Sequence, residues 1–347
     1  MPTMPSVSRL NAPVSMVMAG IVVLASLIVT MSFGAADIGL RDVAASLCNA
    51  LGGDCQVAPI TERIVLELRM PRALLALLCG AGLALAGAVL QTVTRNPLAD
   101  PYLFGISSGA SFGAVIVIAA IGAGESVVSQ YGMSFGAFAG SALSVLLVIS
   151  LAGSGVQIER MLLAGVAVSF MFSAGTSLVL YASSPEAAAS LLFWTLGSFA
   201  SASWNKLLVP GAIIVLCLLI FIAYSRPLRA VLAGDESARA LGVEVNRLRV
   251  GMLLLSSLMT ATLVANCGGI GFVGLMVPHI VRRFTYRRSR HLFLACAVFG
   301  GIFMLWVDVL ARVLVAHSEL PVGVITAAIG SLFFLIVLKR RSWLEHA

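Results

Sequence analysis

Nothing limits the fold of this chain more than its repeated runs of about twenty residues without a single charge, the length a helix needs to cross a bilayer. Val14 to Phe33 and Ala73 to Val93 are such runs, and Leu207 to Tyr224 is nearly as long. The whole chain agrees with them. It is 60% hydrophobic and only 11% charged, with a mean hydropathy of +1.04. A soluble domain could not hide that much apolar surface. The 347 residues leave room for roughly ten spans joined by short loops, and none for a separate soluble domain. The expectation is therefore an all-α polytopic membrane protein, with residues 1–347 as one transmembrane domain.

The spans are expected at 14–33, 73–93, 102–123, 133–153, 159–182, 205–224, 246–267, 272–286, 291–315 and 321–338. The first run is too long for a usual signal-peptide core and ends without a small-x-small cleavage site, so it reads as a helix that stays. Residues 185–203 are too short and too rich in small residues for a full crossing, and read as a short external helix that re-enters. With both termini inside, 16 of the 22 lysines and arginines fall on the inner side, as the positive-inside rule requires. The net charge of +7 is thereby explained by topology, without nucleic acid as a partner. Cys79, Cys217, Cys267 and Cys296 lie in or near apolar spans, where cysteine is a small packing residue. Cys48 and Cys55 share an external polar loop in which a disulfide is open to them.

Ser225 to Arg249 breaks the apolar pattern for more than two turns. Pro227 suits the first turn of a helix, and Gly242 suits the position just past a helix end. Leu228, Val231, Leu232, Ala238 and Leu241 can form an apolar stripe, interrupted at Gly234-Asp235-Glu236. Two short helices follow from this, in the cytoplasm by their collar of Arg226, Arg229, Arg239, Arg247 and Arg249. A structured polar knuckle on a membrane protein is suited to a soluble partner that grips it as a lever.

No catalytic or metal-binding constellation appears. His279, His291, His317 and His346 are scattered, and His279 reads as a capping or packing residue. The phosphate-loop pattern GxxxxGK[ST] is absent, so ATP-driven work requires another chain. No cofactor is implied. Ionisable residues inside spans are few, which argues against a self-sufficient proton- or sodium-coupled carrier, the second class considered. A membrane-embedded enzyme is disfavoured by the lack of paired catalytic residues. Asp308 and Arg312, at i and i+4, share a helix face near the outer end, where a local ion pair and an external contact are both open to them. Arg69 and Arg72 sit at the same outer edge. Their planar forks suit an acidic docking partner, and pairing with Glu62 or Glu67 is the plainer alternative. Asn96-Pro97-Leu98 at the inner end of the second span is a constriction or a plain loop. Gly268 to Gly274 is a glycine-rich break between two apolar helices, with no strand before it to make a nucleotide loop.

Several stretches resemble the permease subunits of bacterial ABC importers for vitamin B12, haem and iron-siderophores, the FecCD-type permeases. They are RMPR at 69–72, GAGLALAGAVLQTVTRNPLADPYLFGISSGA at 80–110, ERMLLAGVAVS at 159–169, GDESARALGV at 234–243, GGIGFVGLMVPHIVR at 268–282 and ELPVGVITAAIG at 319–330. The resemblance implies two copies of ten helices each around a central pathway in the bacterial inner membrane. It also implies two cytoplasmic ATPase subunits on coupling helices at 227–242, with Leu228, Leu232, Gly234, Asp235, Glu236, Arg239, Leu241 and Gly242 as the contact. A periplasmic binding protein would dock on Arg69, Arg72 and Arg312. The inner gate would fall on Asn96, Pro97 and Leu98 and on Gln157, Ile158 and Glu159. At the second of these the vitamin B12 permeases are small and hydroxylated, whereas Ile158 and Glu159 are bulkier and charged. Haem is the cargo the resemblance favours, with vitamin B12 or a ferric siderophore as alternatives.

Overall fold

The structure, a computed structural model, describes residues 12–121, 127–153, 158–284, 289–315 and 318–345. All regular structure among them is helical. The chain opens with α1 (Ala12–Thr30), α2 (Leu40–Ala50) and α3 (Pro59–Arg63). Cys48 and Cys55 are joined by a disulfide just past α2. The Asn49 side chain pins the same turn, accepting from Cys55 N at 2.7 Å.

A π-helical stretch, Ile64–Arg69, carries α3 into α4 (Met70–Val93) without a break. The widening has a local cause. Pro71 has no N–H to donate to the carbonyl four residues back. Just before it, Met70 N donates instead to Val65 O, five residues back. Every residue of α4 from Gly82 to Val93 is buried, which is how a helix apolar on all sides behaves at the centre of a bundle.

The bundle closes around α4 with α5 (Ile106–Ile121), α6 (Val127–Ala152), α7 (Ile158–Tyr181), α8 (Pro185–Thr195) and α9 (Trp204–Ala223). Then come α10 (Ser225–Leu232), α11 (Asp235–Ala240), α12 (Val245–Cys267), α13 (Val273–Phe284), α14 (Ser289–Val313) and α15 (Val322–Glu345). Helices α9, α12, α13 and α14 pack directly on α4. Glycine lets two of them come to backbone contact. A Cβ at Gly80 would lie 2.0 Å from Gly300 O on α14, and one at Gly87 would lie 2.0 Å from Gly274 O on α13.

Among the described residues six helices are long and apolar enough to cross a membrane, the first running Pro59–Val93, and three more apolar helices are shorter. Helix α8, at 11 residues, is about half the length a crossing needs. Its end is stitched to two others by Ser198 N to Cys267 O at 2.9 Å and Val322 N to Gly197 O at 3.0 Å. The break between α12 and α13 lies inside the bundle. Gly274 meets α4 roughly 22 Å along the helix from Arg72. Irregular backbone at that depth needs partners within the protein, and Ile270 N finds one in the Tyr102 hydroxyl at 2.9 Å. His279 packs edge-on against Phe333 at 5.7 Å. Cys79, Cys217, Cys267 and Cys296 are free and buried.

Candidate functional site

The polar side chains gather at the two ends of the bundle. At one end two arginines, Arg69 and Arg312, hold the end of α1 and the segment that follows it, where backbone carbonyls lack partners within a helix, and a third, Arg72, lies beside them. Arg69 donates from Nη1 to Met31 O at 2.6 Å and Ser32 O at 2.9 Å, and from Nη2 to Ala36 O. Arg312 donates from Nη1 to Phe33 O at 2.6 Å and from Nη2 to Thr30 O at 3.2 Å. Asp308, buried, holds the group together. It accepts from Arg72 Nε and Nη2 at 3.0 and 2.9 Å, and its Oδ2 lies 3.1 Å from Arg312 Nη2. Arg72 Nη1 reaches on to Glu319 Oε1 at 2.8 Å.

Each of the three arginines expected at a docking surface is engaged within the chain itself. A guanidinium grips an external carboxylate with free N–H groups. Arg69 spends three of its five N–H groups on carbonyls of the chain itself, Arg312 bonds carbonyls and Asp308, and both side chains are buried. Nor does Arg69 or Arg72 pair with Glu62 or Glu67; Glu67 pairs with Arg63 at 2.8 Å. Only Arg72, with a side chain 13% exposed, opens toward the rim, through the 48% exposed Glu319. The pairing of Arg72 with Asp308 spans 236 residues of sequence, and no local pattern announces it.

The other end carries α10 and α11. Leu228, Val231 and Ala238 are buried against the bundle. Leu232 and Leu241, placed on the same stripe by the sequence, stand out at 54% and 73% exposure. Gly234 (φ 113°) separates the two helices, and Gly242 (φ 80°) follows the second. Asp235 opens α11 and turns inward, whereas Glu236 and Arg239 are exposed. A surface groove of about 560 Å³, bordered by Tyr224, Pro227, Leu241 and Glu244, runs beside them.

Next to this end, α4 gives way to the loop that holds Asn96, Pro97 and Leu98. Arg95 takes a left-handed conformation (φ 51°). Leu98 N donates to Asn96 Oδ1 at 2.9 Å, a side-chain turn that leaves Pro97 and Leu98 exposed. Of the second gate segment, Gln157 lies outside the described residues, Ile158 opens α7 and Glu159 is exposed. Further along, α5, α7 and α8 enclose a cavity of about 540 Å³ whose wall includes Ser107, Ser108, Ser111, Ser169, Ser173 and Thr176. Hydroxyls share its wall with Leu180, Ala188, Leu191 and Leu192, and no charged group lines it. Among the described residues no three His, Cys, Asp or Glu come together as a metal site.

Sequence reasoning missed Arg249 as an individual residue and counted it only in the basic collar. The signal was its position, inside the first turns of an apolar span. It is 9% exposed, and it pairs with Asp235.

Residues 21–340 match the FecCD transport family. The chain is 35% identical over 319 residues to the hemin transport system permease protein HmuU of Yersinia pestis, covering 91% of this chain and 94% of that protein. It is 37% identical over 309 residues to the vitamin B12 import system permease protein BtuC of Citrobacter koseri, covering 87% and 92%. Among solved structures it is similar to an inward-facing conformation of a metal-chelate type ABC transporter. The TM-score is 0.83 at 30% identity, over 94% of this chain and 99% of that one.

Proposed function

The chain belongs to the FecCD transport family, and from that premise we propose that it is the membrane-spanning subunit of an ATP-binding-cassette importer. Two copies, each crossing the inner membrane ten times with both termini inside, form the pathway between them. Two separate ATPase subunits seat on α10 and α11. A periplasmic binding protein delivers cargo at the Arg72 end, where Arg72 and Glu319 supply the accessible charge and Arg69 and Arg312 fix the scaffold beneath. The cargo is haem or a related iron or corrin chelate. Support for this range comes from the relatives, whose names specify hemin and vitamin B12. The hydroxyl-lined cavity suits it too, because hydroxyls offer hydrogen bonds without a fixed charge to trap what passes.

One observation carries the proposal. Leu232 and Leu241 are exposed on a knuckle that is otherwise anchored in the bundle. Two exposed leucines on a short, charged, non-spanning knuckle are apolar surface that a soluble partner can bury. Leu241→Asp is therefore expected to weaken capture of the ATPase subunit about tenfold or more. The thermal stability of the chain itself should move little, because the side chain contributes nothing to the core. Unchanged capture would remove this surface from the assembly.

The decisive experiment is uptake by vesicles holding this chain with its ATPase and binding protein. The cargo panel is haem, cobalamin and ferric siderophores. ATP-dependent accumulation of one of them is expected. Uptake that needs no ATP, or a purified chain to which no nucleotide-hydrolysing subunit attaches, would refute the proposal.

A further inference from the structure

Asp235 joins three parts of the molecule. Arg249 of α12 meets its carboxylate with two prongs, Nη1 to Oδ2 at 2.9 Å and Nη2 to Oδ1 at 2.8 Å. Arg95, at the start of the Asn96–Leu98 loop, brings Nη2 to 3.1 Å from the same Oδ1. Arg249 also donates from Nε to Val93 O, in the last turn of α4, at 3.1 Å. One carboxylate thus ties α11 to α12, to the end of the central helix and to the loop beyond it. The neighbouring acid, Glu236, makes no ion pair with a described residue and is exposed.

We infer that Asp235 is the positioning residue that transmits movement of α11 to the inner end of α4 and the Asn96–Leu98 loop. The functional part of this inference rests on the importer reading; the mechanical tie does not. The contact has the properties a transmission needs. Two parallel N–H···O bonds resist both sliding and rotation, as apolar contacts between α11 and the bundle would not. The two arginines differ in a useful way. Arg249 is nearly dry, so its bond is little screened by water or salt. Arg95 has a side chain 42% exposed, so its share of the contact is the more screened of the two. A pull on α11 would therefore drag α12, the end of α4 and the loop with it.

The test places spin labels at Leu98→Cys and Glu236→Cys and measures their separation in the purified chain and in the full complex. The native cysteines are buried or paired and stay unlabelled. With Asp235 intact, one narrow distance is expected, the same in nucleotide-bound and nucleotide-free complexes because the two segments move together. With Asp235→Asn the distribution should broaden in both preparations. Cargo moved per ATP hydrolysed should fall about tenfold, within the usual range of coupling between sites. An unchanged distribution and an unchanged ratio overturn the inference. If Asp235→Asn does not fold, Asp235→Glu decides. It keeps the charge, so a narrow distance and a near-normal ratio are expected, and a broad distance with a normal ratio refutes the role. Should no cargo be transported even by the unaltered complex, the importer reading fails, while the distances in the purified chain still test the tie.

Discussion

Asp308→Ala should destabilise the protein by about 3–5 kcal/mol, the cost of removing one member of a buried charged group. The carboxylate is 1% exposed and lies within bonding distance of Arg72 and Arg312. Deleting it leaves two guanidinium groups facing each other with little water to hydrate them. Arg312 would retain its carbonyl contacts to the end of α1, and Arg72 its bond to Glu319. The loss therefore falls on the centre of the group and not on its rim. Asp308→Asn should be intermediate, because an amide oxygen still accepts a bond but carries no charge. Arg312→Lys is a sharper control. It keeps the charge but cannot fork to Phe33 and Thr30 together, so the anchoring of α1 should weaken while the pairing with Asp308 survives. Thermal unfolding in detergent, with a double-mutant cycle between positions 72 and 308, measures both contributions. A change below about 1 kcal/mol for Asp308→Ala would mean that the group is as weakly coupled as a surface pair.

Gly80→Val is expected to cost about 3 kcal/mol or more, at the upper end for an overpacked core. The added carbon would sit 2.0 Å from Gly300 O, and a Cβ at Gly300 would sit 2.3 Å from Gly80 O. The obstacle is backbone on both sides, so no rotamer change relieves it and α4 and α14 must separate. A second substitution at Gly300 cannot compensate. Gly251 supplies the contrast. It lies in the interior of α12 with nothing within 4 Å of its missing side chain. Gly251→Ala should be neutral or gain up to about 1 kcal/mol from helix propensity. If Gly80→Val and Gly251→Ala unfold at the same temperature, the close approach of α4 and α14 is not what holds the bundle together.

The elements that could be read from the sequence are those whose cause is local. Uncharged runs mark the long helices, Gly234 and Gly242 punctuate the knuckle, and Gly197 (φ 77°) follows α8 after its eleven residues. What escaped depends on which segments become neighbours. Arg69, Arg72 and Arg312 read alike as an outer basic rim, yet folding turns Arg69 and Arg312 inward to cap α1. Asp235 and Glu236 are adjacent in sequence and equivalent in chemistry. Only the placement of α12 beside α11 decides that the first is clamped and the second is free for a partner. The π-helical turn before Pro71 depends on α3 continuing into α4, which no residue type demands.

The seclusion of α4 has a consequence for biosynthesis. Its principal neighbours, α9, α12, α13 and α14, are all encoded well downstream of Val93. At roughly 5–20 residues per second, the ribosome needs on the order of 10–40 s to deliver them. Throughout that interval the future centre of the bundle waits in lipid, its glycine-bearing flanks bare to any passing helix.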